Sequence, residues 1–174
     1  QRQMCIRDRG SRGLGFETAR ALKAKGFELI LLAKDSQRLQ ESAESLRKVT
    51  VQPNAGEIKT DQPISFYSVD LEDSKATAAA LEKIALAHPR ITHLIIAHGV
   101  MSEKMSKTLK TTDQEWRRVL SINLDSVFQI VNRLAPAIVE ARNGRVIIFS
   151  ACLGRMSGPG NTGGLAPYRI SKAG

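Results

Sequence analysis

Tyr168 and Lys172 stand four residues apart in the run Tyr168, Arg169, Ile170, Ser171, Lys172, close to the end of the chain at Gly174. On a helix, positions i and i+4 share one face, so the Lys172 ammonium comes beside the Tyr168 hydroxyl and favours its ionised form. That pairing can make an acid-base catalyst. An unperturbed tyrosine titrates near pKa ~10, and bringing it to ~7 takes roughly 4 kcal/mol of differential stabilisation, which neighbouring positive charge can supply. The same spacing also fits a solvated helix face, so its meaning depends on what surrounds it.

Near the other end, Gly10, Ser11, Arg12, Gly13, Leu14 and Gly15 precede an amphipathic stretch with Leu14, Phe16, Ala19 and Leu22 on one side and Gly26 closing it. This predicts a glycine turn opening a helix. Glycines let the backbone approach a ligand, and the free amides and positive dipole end of the helix attract a pyrophosphate. A flexible loop is the plainer reading, and the order of elements that follows argues against it.

Phe27 to Ala33 is an apolar run of strand length, Ser36 is expected to cap a charged helix reaching about Lys48, and Ile64 to Val69 is a second short run ending at Asp70. An alanine-rich helix begins after Ser74. Leu94 to Ala97 then reads as a strand ending in His98 and Gly99, Asp113 and Glu115 open a long helix towards Glu140, and Arg145 to Ser150 form another strand beyond Gly144. Continuous apolar strands between helices indicate an α/β fold, a doubly wound parallel sheet covered on both faces. Ligands bind at the carboxyl ends of such strands. The glycine turn, Lys34, Asp70, Gly99 and Ser150 all fall there.

With these residues in place the sequence resembles the short-chain dehydrogenase/reductase family, of classical type, from about Gly10 to Gly174. The resemblance rests on Gly13 and Gly15 after the first strand, Asp70 after the third and Gly99 after the fourth. It continues with Asn123 in Ile122-Asn123-Leu124 and with Tyr168 and Lys172. It implies a Rossmann fold and a hydride exchanged between NADP(H) and a ketone or secondary alcohol. Tyr168 would be the proton donor or acceptor, Lys172 would lower its pKa and hold the nicotinamide ribose, and Asn123 would bend its helix and hold a water linking Lys172 to solvent. Gly10, Ser11, Arg12, Gly13, Leu14, Gly15, Lys34, Asp70, Leu71, Ala97, His98 and Gly99 would line the cofactor site together with Tyr168 and Lys172.

The pattern breaks at one point. The family usually carries its active serine at the position occupied by Ala151, so Ser150 either does that work through a one-residue shift or leaves it undone; Ser157 sits inside the long glycine-rich loop between Arg155 and Pro167. A cofactor-binding protein without reductase chemistry is the rival reading. His98 stands where the family often has alanine and is expected to pack near the cofactor.

Coenzyme choice follows from charge. Dinucleotide folds that prefer NAD end the second strand with an acid for the ribose 2'-hydroxyl, whereas a cation there suits a 2'-phosphate. Here Lys34 follows Ala33, no acid comes before Asp35, and Arg12 stands in the glycine turn, which favours NADP over NAD. Asp70 would lie near the adenine.

Gln1 to Arg9 read as non-native sequence joined to an open reading frame at about Gly10. Only Met4, Cys5 and Ile6 are apolar together in that run, a poor substitute for the central strand the fold needs. The abrupt end after Lys172 makes residues 10–174 read as a partial NAD(P)-binding domain, incomplete at both ends, which would fold poorly and lack activity by itself.

Composition is compatible with one globular domain: 174 residues, 42% of them hydrophobic, could bury a substantial core. No apolar run approaches the ~18 to 20 residues that span a bilayer, which suggests a soluble cytoplasmic protein. Cys5 and Cys152 offer neither a disulfide framework nor metal-ligand spacing, and His88, His93 and His98 form no ligand cluster, so no metal is expected. The net charge of +9 invites a nucleic-acid reading, but four arginines lie in the first twelve residues, the other cations are dispersed among acids, and no aromatics alternate with them as a stacking platform would. The resemblance implies a small carbonyl or alcohol substrate as partner and, for the full-length protein, a homo-oligomer, which members of the family usually form through the helices that here contain Asn123 and Tyr168.

Overall fold

The computed structural model describes residues 3–7, 13–51, 62–103, 107–155 and 164–174, giving the backbone path alone for the first of these segments. Among the described residues five parallel strands and six α-helices follow in the order β1 Gln3–Arg7, α1 Gly13–Ala24, β2 Glu28–Ala33, α2 Ser36–Arg47, β3 Ile64–Ser68, α3 Ser74–Ala87, β4 Ile91–Ile96, α4 Asp113–Leu120, α5 Ser126–Glu140, β5 Arg145–Ile148 and α6 Ala166–Ala173. The strand order is β3-β2-β1-β4-β5. It is the doubly wound arrangement, with the order reversing beside β1.

The apolar strands are continuous because both of their faces are covered. In β2, Ile30 and Leu32 join a core with Leu94 and Ile96 of β4, Leu81 and Ile84 of α3, and Ile130 and Leu134 of α5. The alternate residues Leu29, Leu31 and Ala33 point the other way, with Ile95 of β4, Ala19 of α1 and Leu39, Ala43 and Leu46 of α2. Each buried leucine or isoleucine side chain contributes about 1.5–3 kcal/mol relative to exposure. The two layers enclose the sheet between helices, and the parallel strands bring their carboxyl ends to one edge.

Several expectations change in detail. The stretch read as a poor central strand forms β1 and pairs in parallel with both β2 and β4, so the sheet has its centre. Pairing on both sides is a tertiary effect, and it overrides the weak local signal. α2 is capped by Asp35, whose side chain accepts from the Arg38 amide, and Ser36 is its first residue. Leu14 does not belong to the buried side of α1: it is 65% exposed. The long helix towards Glu140 is two helices joined by a π-helical turn, Ser121–Asp125, around Asn123. The residues most responsible for the glycine turn, Gly10, Ser11 and Arg12, lie outside the described residues, as do Ser157 and most of the polar loop after Val51.

Candidate functional site

A cleft of about 360 Å³ opens at the carboxyl edge of the sheet. Gly13, Leu14 and Gly15 at the start of α1 form one wall, Ala97, His98 and Gly99 beyond β4 a second, and Phe149 and Ser150 beyond β5 a third; Tyr168 and Lys172 of α6 close it. Sequence spacing therefore gathered residues from four separate parts of the chain that the fold brings together. Tyr168 and Lys172 project from the same helix as expected, with Pro167 in its first turn supplying a preset φ where no N–H bond is needed.

The seat of Lys172 is built from strand ends. Its Nζ donates to the carbonyl oxygens of His98, at 3.2 Å, and Phe149, at 3.3 Å. Burial pushes its pKa below the ordinary lysine value, since desolvation disfavours the charged form. Gly99 makes room for the ammonium: a Cβ there would lie 2.9 Å from Nζ.

Asn123 is buried, not solvated. Its Oδ1 accepts from the Val100 amide at 2.8 Å, while its Nδ2 donates to the Val100 carbonyl and to Ser171 Oγ, both at 2.9 Å. The side chain thus clamps the strand end next to Gly99 and ties it to α6. A π-turn inserts one residue into a helical ladder and often marks a functional site; here it points Asn123 inward.

Ser150 reaches the cleft, but its hydroxyl donates to the Lys172 carbonyl at 2.8 Å. A hydroxyl has one hydrogen, so in this arrangement Ser150 has none left to offer a substrate oxygen. Cys152 begins the short 3-10 turn Cys152–Gly154 and is exposed and free.

Lys34, Asp70 and Leu71 stand apart from this cleft, beyond β2 and β3. Lys34 Nζ lies 2.6 Å from Asp70 Oδ2. Burial pushes the Asp70 carboxyl up, but hydrogen bonds from Lys34 and the Glu72 amide, with the Lys34 charge, outweigh it and hold the pKa below the usual carboxylate value. Leu71 turns its side chain into the core. Sequence reasoning overlooked Phe149, Val100, Ser171 and Gly154. The first three act through backbone atoms or a buried hydroxyl, and Gly154 packs on the Lys172 carbonyl; only the glycine carried a visible cue. Among the described residues no His, Cys, Asp and Glu group is arranged to hold a metal, and no helix is long and apolar enough to cross a membrane.

The profile of the short chain dehydrogenase family matches residues 9–174, and the chain belongs to that family of oxidoreductases. It is 29% identical over 164 residues to the 3-oxoacyl-(acyl-carrier-protein) reductase FabG of Escherichia coli, covering 94% of this chain and 59% of the relative. It is 30% identical over 149 residues to dehydrogenase/reductase SDR family member 7B of Danio rerio, covering 86% and 46%. Among solved structures, a metagenomic short-chain oxidoreductase in complex with NADP superimposes with a TM-score of 0.80 at 24% identity, over 98% of this chain and 70% of that one. The oxidoreductase yciK from E. coli gives 0.81 at 21%, over 99% and 65%. The chain spans about 60% of the length of the FabG relatives it matches.

Proposed function

We propose that the whole protein is a cytoplasmic oxidoreductase that moves a hydride between NADP(H) and a small ketone or secondary alcohol. The observation that carries this reading is the meeting of Tyr168 and Lys172 with the Gly13–Gly15 backbone in one cleft at the carboxyl edge of the sheet. The residues suit the cofactor. Gly13 and Gly15 at the start of α1 leave backbone open to a pyrophosphate, Gly99 leaves the cleft wall bare beside Lys172, and the exposed Lys34 ammonium suits a 2'-phosphate. FabG relatives and a neighbour solved with NADP support the same class.

NADPH bound there would supply the hydride. Tyr168 would give its hydroxyl proton to the substrate oxygen as negative charge develops, or take it back in the reverse direction. Lys172, held by two carbonyls, would keep a positive charge facing the cofactor ribose, and Asn123 would hold the strand end that carries one of those carbonyls. Ser150 contributes to the lysine's seat through its bond to the Lys172 carbonyl. Assembly into homo-oligomers belongs to the same proposal.

One observation favours a second reading, a nucleotide-binding protein without turnover: position 151 holds alanine and the Ser150 hydroxyl is already committed. Both readings meet in one experiment, NADPH oxidation by the complete protein over a panel of carbonyl compounds. On the first reading turnover is measurable and Tyr168→Phe lowers it at least ~100-fold, the scale of a lost general acid. NADPH binding with no turnover, and activity appearing on Ala151→Ser, would establish the second. Unchanged turnover in Tyr168→Phe would remove Tyr168 from its role.

A further inference from the structure

We propose that His98 is a positioning residue for Lys172, a strap that fixes the lysine's seat from the π-turn; the inference rests on the reductase reading above. Three consecutive residues beyond β4 carry the argument. The carbonyl of His98 accepts from Lys172 Nζ, Gly99 clears the space for that ammonium, and both backbone polar groups of Val100 are taken by Asn123. The seat is therefore strapped to the π-turn on its Val100 side by Asn123.

The imidazole of His98 provides the strap on the other side. In an α-helix the Ser126 amide would donate to the Ile122 carbonyl; here it donates to Ser121 and leaves that carbonyl to other donors. His98 Nε2 lies 2.7 Å from the Ile122 oxygen and 2.9 Å from Ser126 Oγ, and the Ser126 hydroxyl donates to the same oxygen at 2.7 Å. A carbonyl cannot donate, so Nε2 carries a hydrogen. His98, Asn123 and Ser126 are all at least 97% buried, so water does not compete for these bonds. The backbone of His98 faces the cleft while its side chain grips the helix behind it.

The π-turn thus holds the segment on either side of Gly99, by a side chain reaching out at Asn123 and a side chain reaching in from His98. Without the imidazole, the segment that carries the His98 carbonyl loses its tie to Ile122 and Ser126, and one of the two carbonyls that seat Lys172 is held less firmly. Small misplacements of a catalytic constellation are costly: about 1 Å can cost up to ~100-fold in rate.

The test compares His98→Ala, His98→Gln and Tyr168→Phe in the complete protein. Glutamine can place an Nε2 donor near where the imidazole has one. His98→Ala is expected to lower kcat about 10-fold, and His98→Gln to recover most of the loss. The 15N signal of the Lys172 ammonium, measured without cofactor, should move in His98→Ala and return in His98→Gln, and the imidazole of the unaltered protein should show a protonated Nε2 at neutral pH. An unchanged kcat and unmoved Lys172 signal in folded His98→Ala, or an Nε2 without hydrogen, overturns the proposal. If His98→Ala fails to fold, the Nε2 state and a wild-type-like Lys172 signal in His98→Gln decide. Persistent turnover in Tyr168→Phe would overturn the catalytic reading instead, and the nitrogen signals would still judge the strap.

Discussion

Gly99 and Lys172 share a space that only a hydrogen atom leaves open: a Cβ on Gly99 would stand 2.9 Å from the lysine Nζ and 3.1 Å from its Cε. The obstructed atoms are the far end of a flexible side chain. Gly99→Ala should therefore spare the fold and displace the ammonium. The expected outcome is a melting temperature within a few degrees of the parent protein, since the obstructed end of the lysine can move aside, with kcat/KM reduced 10-fold or more. Calorimetry and steady-state kinetics on the same preparation check both halves.

Gly154 approaches the same lysine from its backbone, and the consequence reverses. A Cβ there would overlap the Lys172 carbonyl, lying 2.5 Å from its carbon, and backbone cannot swing aside. Gly154→Ala is expected to destabilise the protein by about 1–3 kcal/mol, the usual cost of overpacking, read as a lower urea midpoint at unchanged slope. A stability equal to that of the parent would show that the turn and α6 slide apart freely.

Burial lowers the Lys172 pKa, and the sign of its effect on stability follows. Between the lowered folded value and the ordinary ~10.4 the unfolded chain binds more protons, so this contribution to stability rises with pH. The penalty is full below the folded pKa and gone above the unfolded one. Lys172→Met removes the titration. The stability of the parent protein relative to Lys172→Met should therefore improve as pH climbs through the range below ~10.4, measured by urea unfolding at several pH values. A difference independent of pH would mean that the ammonium is as well solvated folded as unfolded.

Lys34 is held by Asp70 at 2.6 Å, but the pair is largely exposed, and such pairs contribute only about 0–1 kcal/mol. A phosphate can displace so weak a partner. Lys34→Ala is expected to weaken NADPH binding about 10-fold while leaving NADH binding nearly unchanged, as cofactor fluorescence titrations would register. Equal losses for both cofactors would deny Lys34 any part in reading the 2'-phosphate.

The sheet was legible because Leu29 to Ala33 of β2 and Leu94 to Ile96 of β4 are buried apolar runs without a polar interruption, and Lys34, Asp70 and Gly99 could be placed at strand ends from that alone. β1 was misjudged because its strand conformation comes from two neighbours and not from its own residues. Asp35 and Ser36 are both competent caps, so spacing could not choose between them. Asn123 was legible as a residue and not as a geometry. A π-turn shifts one residue in a helical register that apolar periodicity reads as continuous, and the clamp on Val100 is made to backbone atoms that every sequence possesses. Ser150 was placed at the right edge, but the partner of its single hydrogen depends on how closely α6 packs, which no local pattern encodes.

Among the described residues β5 is the outer strand on its side of the sheet, and Val146, Ile147 and Ile148 along it are 42 to 50% exposed. Such an edge offers unpaired backbone donors and acceptors flanked by apolar side chains, a template on which another chain can add a strand.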